Sequence, residues 1–465
     1  MTRALKALLI LGLISMALCA CGECEEHGRY VYFGDDRLRG ILEIAAESNP
    51  NILAAAEKVK QAREDARNAA AALGPTLSVG GLARSEPDRE VYNASLNLVQ
   101  TLYAGGSVRA NHRAARLALA ATQAEAERTY QEVLNDVRLR YYDCLRTWAQ
   151  AQVAADAVSL SEEHLHHAER LFRSGMVPRG DVLRVQVSLS QHQQELITAK
   201  GNFEVSWTAL EHAVGTQLRL SDFQTVLHHE EIADLTPPSY VLSGDVSEAA
   251  RTQRPELRAY QFYKERAEQL AKAAAGERAP RISLSGRLNA DRDDSSSTDD
   301  RWYVQLEAQW MLYDGSASSS QVRKAKAAAR ELLYTLQSLS SQIMQEARQA
   351  EIQLRSAQEC LALSKSQVAT AQEDYRMALQ RYDLGLGSNV DVLDSRQALV
   401  QSHTGYVDAV YDIAAAQSNL IFALGEDVAA ATSRSEKPKA SKEKPATTKS
   451  IKDKSKSGYD RGEGL

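Results

Sequence analysis

Helix breakers are scarce in this chain. Its 465 residues include 10 prolines and 25 glycines, gathered in clusters rather than scattered. Between the clusters nothing interrupts a helical backbone. Aromatic residues are only 6% of the total, and a net charge of −6 is too mild to argue for a nucleic-acid partner. Cysteine is equally sparing: of five, Cys19, Cys21 and Cys24 crowd the N-terminus, while Cys144 and Cys360 stand alone. No CxxC pair or Cys/His ligand spacing occurs, which excludes a disulfide framework and a metal site of that type. His164, His166 and His167 lack a carboxylate-rich ligand setting. A phosphate-cradling glycine loop is missing too. No enzyme activity, catalytic residue, metal or cofactor is therefore expected.

Long apolar runs are also missing. The first, Ala7–Ala20, follows Arg3 and Lys6 and reads as the core of an export signal over residues 1–20. It is shorter than the roughly 20 residues a spanning helix needs. No later stretch is apolar enough, so any insertion into a bilayer must use strands. Leu18-Cys19-Ala20-Cys21 resembles a lipobox, which would make Cys21 the lipid-bearing residue; ordinary cleavage near Gly22 is the alternative. At the other end, 433–465 is rich in Lys, Ser, Thr and Pro with almost no apolar residue, and is expected to be a disordered basic tail.

What is present is a duplication. Asn49-Pro50 matches Arg254-Pro255, and Gly74-Pro75 matches Ala279-Pro280, both at an offset of 205. Leu102-Tyr103 matches Leu312-Tyr313, Gly175 matches Gly385, and Asp181-Val182-Leu183 matches Asp391-Val392-Leu393, all at 210. One insertion accounts for the jump, and it falls in the loop-like stretch Asp291–Asp300. The repeats span 38–216 and 246–426, joined by a linker at 217–245. Each begins with a helical segment (about 44–73 and 249–279) and a proline. Two alternating segments, one very long helix, a glycine-containing turn and a shorter return helix follow.

The alternating segments predict strands. From Trp302 to Leu312 one face carries Trp302, Val304, Leu306, Ala308, Trp310 and Leu312; the other carries Tyr303, Gln305, Glu307 and Gln309. Such a hairpin could bury its apolar face in a soluble core or turn it to lipid. The strand length, export, and the two tryptophans as aromatic girdles favour lipid. Four strands cannot close a membrane barrel, since the smallest use about 8. The chain must therefore pool strands with copies of itself, and three copies supply 12.

The long segments contain 68 residues between Gly106 and Gly175 and 69 between Gly315 and Gly385 without Gly or Pro. At ~1.5 Å per residue each spans about 100 Å. Ala347, Ala350, Leu354, Ala357, Leu361, Ser364, Val368, Ala371, Tyr375, Ala378 and Tyr382 alternate steps of three and four, the seam of a left-handed coiled coil. The shorter segments sum to one long helix in each repeat, as expected of two helices stacked to equal height.

Strands joined to a duplicated helical wall resemble the TolC-like outer-membrane efflux proteins. The more specific marks are TLYAGGS and MLYDGSA after the strands, and RLFRSGMVPRGDVL and QRYDLGLGSNVDVLD at the turns. The resemblance implies a mainly α fold with a membrane β-barrel. A homotrimer would form a 12-stranded barrel in the outer membrane, continued by an α-helical coiled-coil tunnel in the periplasm. It implies a periplasmic adaptor and an inner-membrane pump as partners, outer-membrane lipid around the barrel, and passive export gated at the tip. Gly175 and Gly385 would mark the tip turns. Asp391 and Asp394 would line a constriction, and Tyr382 with Asp181 would lock the coils. Where TolC-type members often carry a basic residue two positions after the tip glycine, this chain has Gly387.

Asp391 and Asp394 lie one helical turn apart, and threefold repetition would ring six carboxylates around one axis, favouring cations. Asp181 and Asp391 also stand where acidic residues favour a helix start, so capping remains an equal reading for both. Asp394 has Arg184 as its counterpart and is the sharper candidate. A periplasmic adaptor or a lipid-anchored coiled-coil scaffold are the alternatives; the first would have one hairpin, the second no alternating strands.

Overall fold

The computed structural model describes residues 36–87, 89–218, 246–293 and 296–425. Cys21 and the export signal, most of the linker, and the basic tail lie outside the described residues. The elements come in two matching sets. The first is α1 (Asp36–Ser48), α2 (Pro50–Ala71), β1 (Thr76–Glu86), β2 (Arg89–Ala104), α3 (Ser107–Arg173) and α4 (Arg179–Val214). The second is α5 (Val246–Gln253), α6 (Pro255–Gly276), β3 (Arg281–Asp293), β4 (Ser296–Gln309), α7 (Ala317–Asp383) and α8 (Asn389–Leu424). Both long helices have 67 residues, both return helices 36, and α2 and α6 have 22 each. Equal lengths in equal order show that the duplication is structural.

Two expected boundaries moved. The single helix expected over 44–73 is two, broken at Asn49, and that over 249–279 is broken at Arg254. Pro50 and Pro255 sit at the first helical position, where the missing N–H costs nothing and the preceding residue is pushed extended. The stretch Asp291–Asp300, expected as a loop, is strand over 291–293 and 296–300, with Asp291 opposite Asp299. An antiparallel ladder needs only backbone pairing, so a polar hairpin can continue past the apolar part of its strands. In the other direction β4 stops at Gln309, short of Leu312.

The sheet is antiparallel with order β1-β2-β3-β4, leaving β1 and β4 as open edges. Register assembles one apolar face from Leu77 opposite Leu98, Val79 opposite Leu96, Leu288 opposite Trp302, and Leu284 opposite Leu306. The other face sets Ser78 against Asn97, Arg287 against Tyr303 and Ser285 against Gln305. Among the described residues nothing covers the apolar face: Val79 is 81% exposed and Trp302 73%. Trp302 and Trp310 stand about 26 Å apart along the strand direction, close to the ~25 Å apolar band of a membrane barrel. No described helix is long and apolar enough to cross a membrane.

The helices form a wall. Every residue of the seam read on α7, from Ala347 to Tyr382, is buried or half-buried, and none is exposed. The seam packs against α8 at its lower end and against α5, α6 and α8 higher up. Halfway along the wall the return helices meet the helices that continue them. The Ser48 hydroxyl donates to the Val214 carbonyl (3.0 Å) and the Asn49 amide to Ala213 (2.6 Å), so α4 runs end to end into α2. At the equivalent joint Arg254 Nε donates to the Ala423 carbonyl (2.7 Å), tying α8 to α6. Its other nitrogens reach Glu346 (3.0 Å) and Glu256 (3.3 Å), and Arg128 lies 3.7 Å over the Phe422 ring beside it. The side chains of both Asn49 and Arg254 satisfy carbonyls that a helix end leaves bare. Arg254→Ala is expected to destabilise the joint by about 2 kcal/mol, because a buried carbonyl loses its donor and a half-exposed Glu346 loses its partner. Limited proteolysis should cut near residue 254 earlier in the variant than in the native protein.

Candidate functional site

At the end of the wall opposite the strands, two turns close the helix pairs α3/α4 and α7/α8. Both are Schellman motifs. The N–H of Gly175 donates to the Phe172 carbonyl and that of Met176 to Leu171, each at 2.9 Å. Gly385 donates to Tyr382 (3.0 Å) and Leu386 to Arg381 (2.9 Å) in the same pattern. Gly175 and Gly385 occupy the left-handed position at φ 76° and 70°, where a side chain is strained. Gly387 lies against the same helix end: a Cβ there would come within 3.0 Å of Arg381 Cβ and 3.2 Å of the Tyr382 nitrogen. A side chain at 387 would require the end of α7 to give by a few tenths of an ångström.

Asp181 and Asp391 sit at matching positions near the starts of α4 and α8 but are engaged differently. Asp391 accepts from the backbone N–H of Ser388 (3.1 Å) while Ser388 caps α8 in return. This is a capping box, and the helix-capping reading holds for Asp391. Asp181 is paired instead with Arg184, one turn along (3.3 Å). Asp394 is exposed on α8 beside the groove between α4 and α8, lined also by Leu183, Arg184, Leu393 and Gln397.

Tyr382 is 4% exposed, and its hydroxyl has no hydrogen-bond partner among the described residues. The expected bond to Asp181 is therefore absent within one chain, where the Asp181 carboxylate pairs with Arg184. The two groups still sense each other. Burial first, then the carboxylates of Asp181 and Asp383, push the Tyr382 phenol above its usual range. Its ring packs 5.7 Å from that of His164 and 6.4 Å from that of His167. Across the same gap His167 Nε2 is 2.6 Å from an Asp383 oxygen, linking α3 to the end of α7.

Deeper in the tip lies a polar layer that the sequence reading passed over. His164 Nε2 meets Asn389 Oδ1 (2.9 Å), and the Asn389 amide donates to the Asp181 carbonyl (3.3 Å). His192 Nδ1 pairs with the Ser161 hydroxyl (2.7 Å). Arg396 is fully buried and donates to Ser188 (2.6 Å), while its Nε and Nη1 lack partners among the described residues. The nearest signal in sequence is the spacing of Asn389 and Arg396, one heptad apart on α8 and in phase with Tyr375 and Tyr382 on α7. Among the described residues no cluster of His, Cys, Asp and Glu is arranged to hold a metal.

Burial is the largest cause lowering the pKa of both His164 and His192; Arg396 lowers both further. Asn389 and Asp383 oppose it at His164, and Glu195 and Gln397 at His192. A depressed imidazole is neutral in the packed tip and takes up its proton more readily when the tip opens. The packing is thus fully stable above the free value of about 6.5 and weakens as pH falls below it. Thermal stability is expected to fall between pH 7 and pH 5, and the double variant His164→Gln/His192→Gln to flatten that profile in unfolding followed by circular dichroism.

The comparisons fit this geometry. The sequence model of the family described as outer membrane efflux protein matches residues 41–216 and 246–426. The alkaline protease secretion protein AprF of Pseudomonas aeruginosa is 22% identical over 409 residues, covering 83% of this chain and 84% of that protein. Among solved structures, the outer membrane protein VceC of Vibrio cholerae superposes with a TM-score of 0.72 at 20% identity, over 84% of this chain and 97% of that one. The open state of the MtrE outer membrane channel of Neisseria gonorrhoeae does so at 0.73 and 18%, over 84% and 89%. Two hairpins of long helices under one four-stranded sheet, matched along both repeats, place the chain in the outer membrane efflux protein family, as an outer-membrane channel of the TolC-like fold.

Proposed function

We propose that three copies of this chain close head to tail into a 12-stranded barrel and a helical tunnel, an exit duct gated at its periplasmic tip. One observation carries the ring. Between the repeats β2 pairs with β3, α3 packs on α6, and the turn at Gly105 presses on Gly276 so closely that a Cβ at 105 would lie 2.0 Å from the Gly276 carbonyl oxygen. The same junction on the far side of repeat two has no partner among the described residues: β4 is an open edge and nothing lies within 4 Å of a Cβ at Gly315. Its missing half is on the chain's other side, where β1 is open and Leu183, Val187, Ile197 and Val205 of α4 are exposed. A second copy placed by the operator that relates the repeats supplies it, which is a heterologous contact that closes a ring.

The duct conducts passively and catalyses nothing. Transport energy comes from an inner-membrane pump, joined to the tip by a periplasmic adaptor, as expected for the outer-membrane part of a tripartite efflux or type I secretion system. AprF is by name a protease secretion protein, so proteins as well as small solutes fit as cargo. Acylation of Cys21 would add a second anchor. Native mass spectrometry in detergent should give a trimer of acylated chains. A stable folded monomer would overturn the ring, and an unmodified terminus beyond Cys21 the acylation.

At rest the end of α7 is held against α3 and α4. His167–Asp383 supplies one tie, and the buried Tyr382 hydroxyl, with Asp181 nearby, supplies a charge-assisted bond of about 1.5–3 kcal/mol once the assembled tip brings the two together. Tyr382→Phe with Asp181→Ala should raise single-channel conductance in planar bilayers; unchanged conductance places the lock elsewhere. Asp394 faces the constriction, with Asp391 behind it as a cap. Asp394→Ala should weaken cation preference with little change in pore size, and unaltered selectivity would remove it from the pore.

A further inference from the structure

Basic residues gather where the long helices leave the sheet, and they run against local electrostatics. On α3, Arg109, Arg113 and Arg116 are exposed, and no acidic residue occurs between Ser107 and Glu125. On α7, Arg323, Lys324, Lys326 and Arg330 are exposed, and no acidic residue occurs between Ala317 and Glu331. The positive end of a helix dipole disfavours cations in the first turn, where Arg109 sits. Several exposed cations elsewhere on the wall are paired on their own helix, as in Arg39–Glu43, Lys60–Glu57, Arg67–Glu64 and Arg376–Glu373. Here none makes an ion pair among the described residues; Arg323 only donates to the Ser320 hydroxyl (2.9 Å). Arg113 recurs as Arg323 and Arg116 as Lys326 at the repeat offset of 210, so the pattern belongs to both halves.

Two further facts say what lies opposite. The stripes begin just past β2 and β4, beside Tyr103 and Tyr313, which are exposed and recur at the same offset. Arg113 and Arg323 stand ~9 Å along their helices and Arg116 and Lys326 ~14 Å, within reach of a headgroup layer for long basic side chains and a Debye length of ~8 Å. The stripe on α3 also points away from the bore. Arg113 and Arg116 lie three heptads before Leu134 and Val137, which share a buried cluster with Leu38, Leu42 and Ala45 of α1. A duct stays open only if α1 lies outside it.

We propose that Arg113, Arg116, Arg323 and Lys326 form a phosphate-binding collar that seats the channel on anionic phospholipid headgroups of the leaflet facing the periplasm. The proposal rests on the trimeric-duct reading. The aromatic pair marks the interface and the cations take the phosphates just below it.

The test uses the full-length trimer and vesicles of phosphatidylglycerol or phosphatidylcholine. Lipid retained after detergent exchange should favour phosphatidylglycerol several-fold, and the preference should fall as salt rises. Arg113→Gln/Arg116→Gln/Arg323→Gln/Lys326→Gln should abolish it, and the corresponding Arg→Lys variant should retain it, while trimer mass and conductance stay unchanged. No preference in the native protein, or a preference that survives the glutamine variant, overturns the collar. Altered ion selectivity in neutral bilayers with lipid preference intact would also overturn it, by turning the stripe toward the bore. Loss of the trimer in the native protein would instead sink the duct reading, a separate outcome.

Discussion

Backbone groups in a bilayer have no water to bond to, and a four-stranded sheet with two open edges leaves a row of them bare. That constraint organises the rest of the molecule. In the proposed ring the edges are paired by other copies, and the bare apolar face of Val79, Trp302 and Val304 meets lipid. α3 follows β2 within a few residues, so the geometry of strand pairing is passed directly into the packing of the wall.

Duplication makes this economical, and the departures from it are informative. Asn49 and Arg254 solve the same problem at the two joints, a helix end running into a helix start, with different side chains. The arginine draws Glu256, Glu346 and Arg128 into a network that the asparagine side does not require. At the tip, Ser388 caps α8 reciprocally with Asp391, whereas Pro178 begins α4 with no side-chain cap and leaves Asp181 to Arg184. The two hairpins therefore end with the same backbone turn and different electrostatics.

The tip is also the place where the fold tolerates unfavourable burial. Arg396 is enclosed with two nitrogens unpartnered, Tyr382 with its hydroxyl bare, and His164 with one ring nitrogen unpaired among the described residues. A core built only for stability would place apolar side chains there.

Periodicity and offset alone determined much of this protein. The repeat, the long helices, the seam from Ala347 to Tyr382 and the alternating strands follow from side-chain spacing, which local geometry forces onto one face whatever surrounds it. The tip turns were legible because few residues other than glycine tolerate the left-handed position at 175 and 385. The breaks at Asn49 and Arg254, the strand ends past Asp291, and the partners of Asp181 and Tyr382 were not. Each depends on which distant carbonyl, carboxylate or strand happens to lie opposite, as Ala213 does for Asn49 and Asn389 for His164. Spacing fixes which way a side chain points; only the packed tertiary structure decides what it meets.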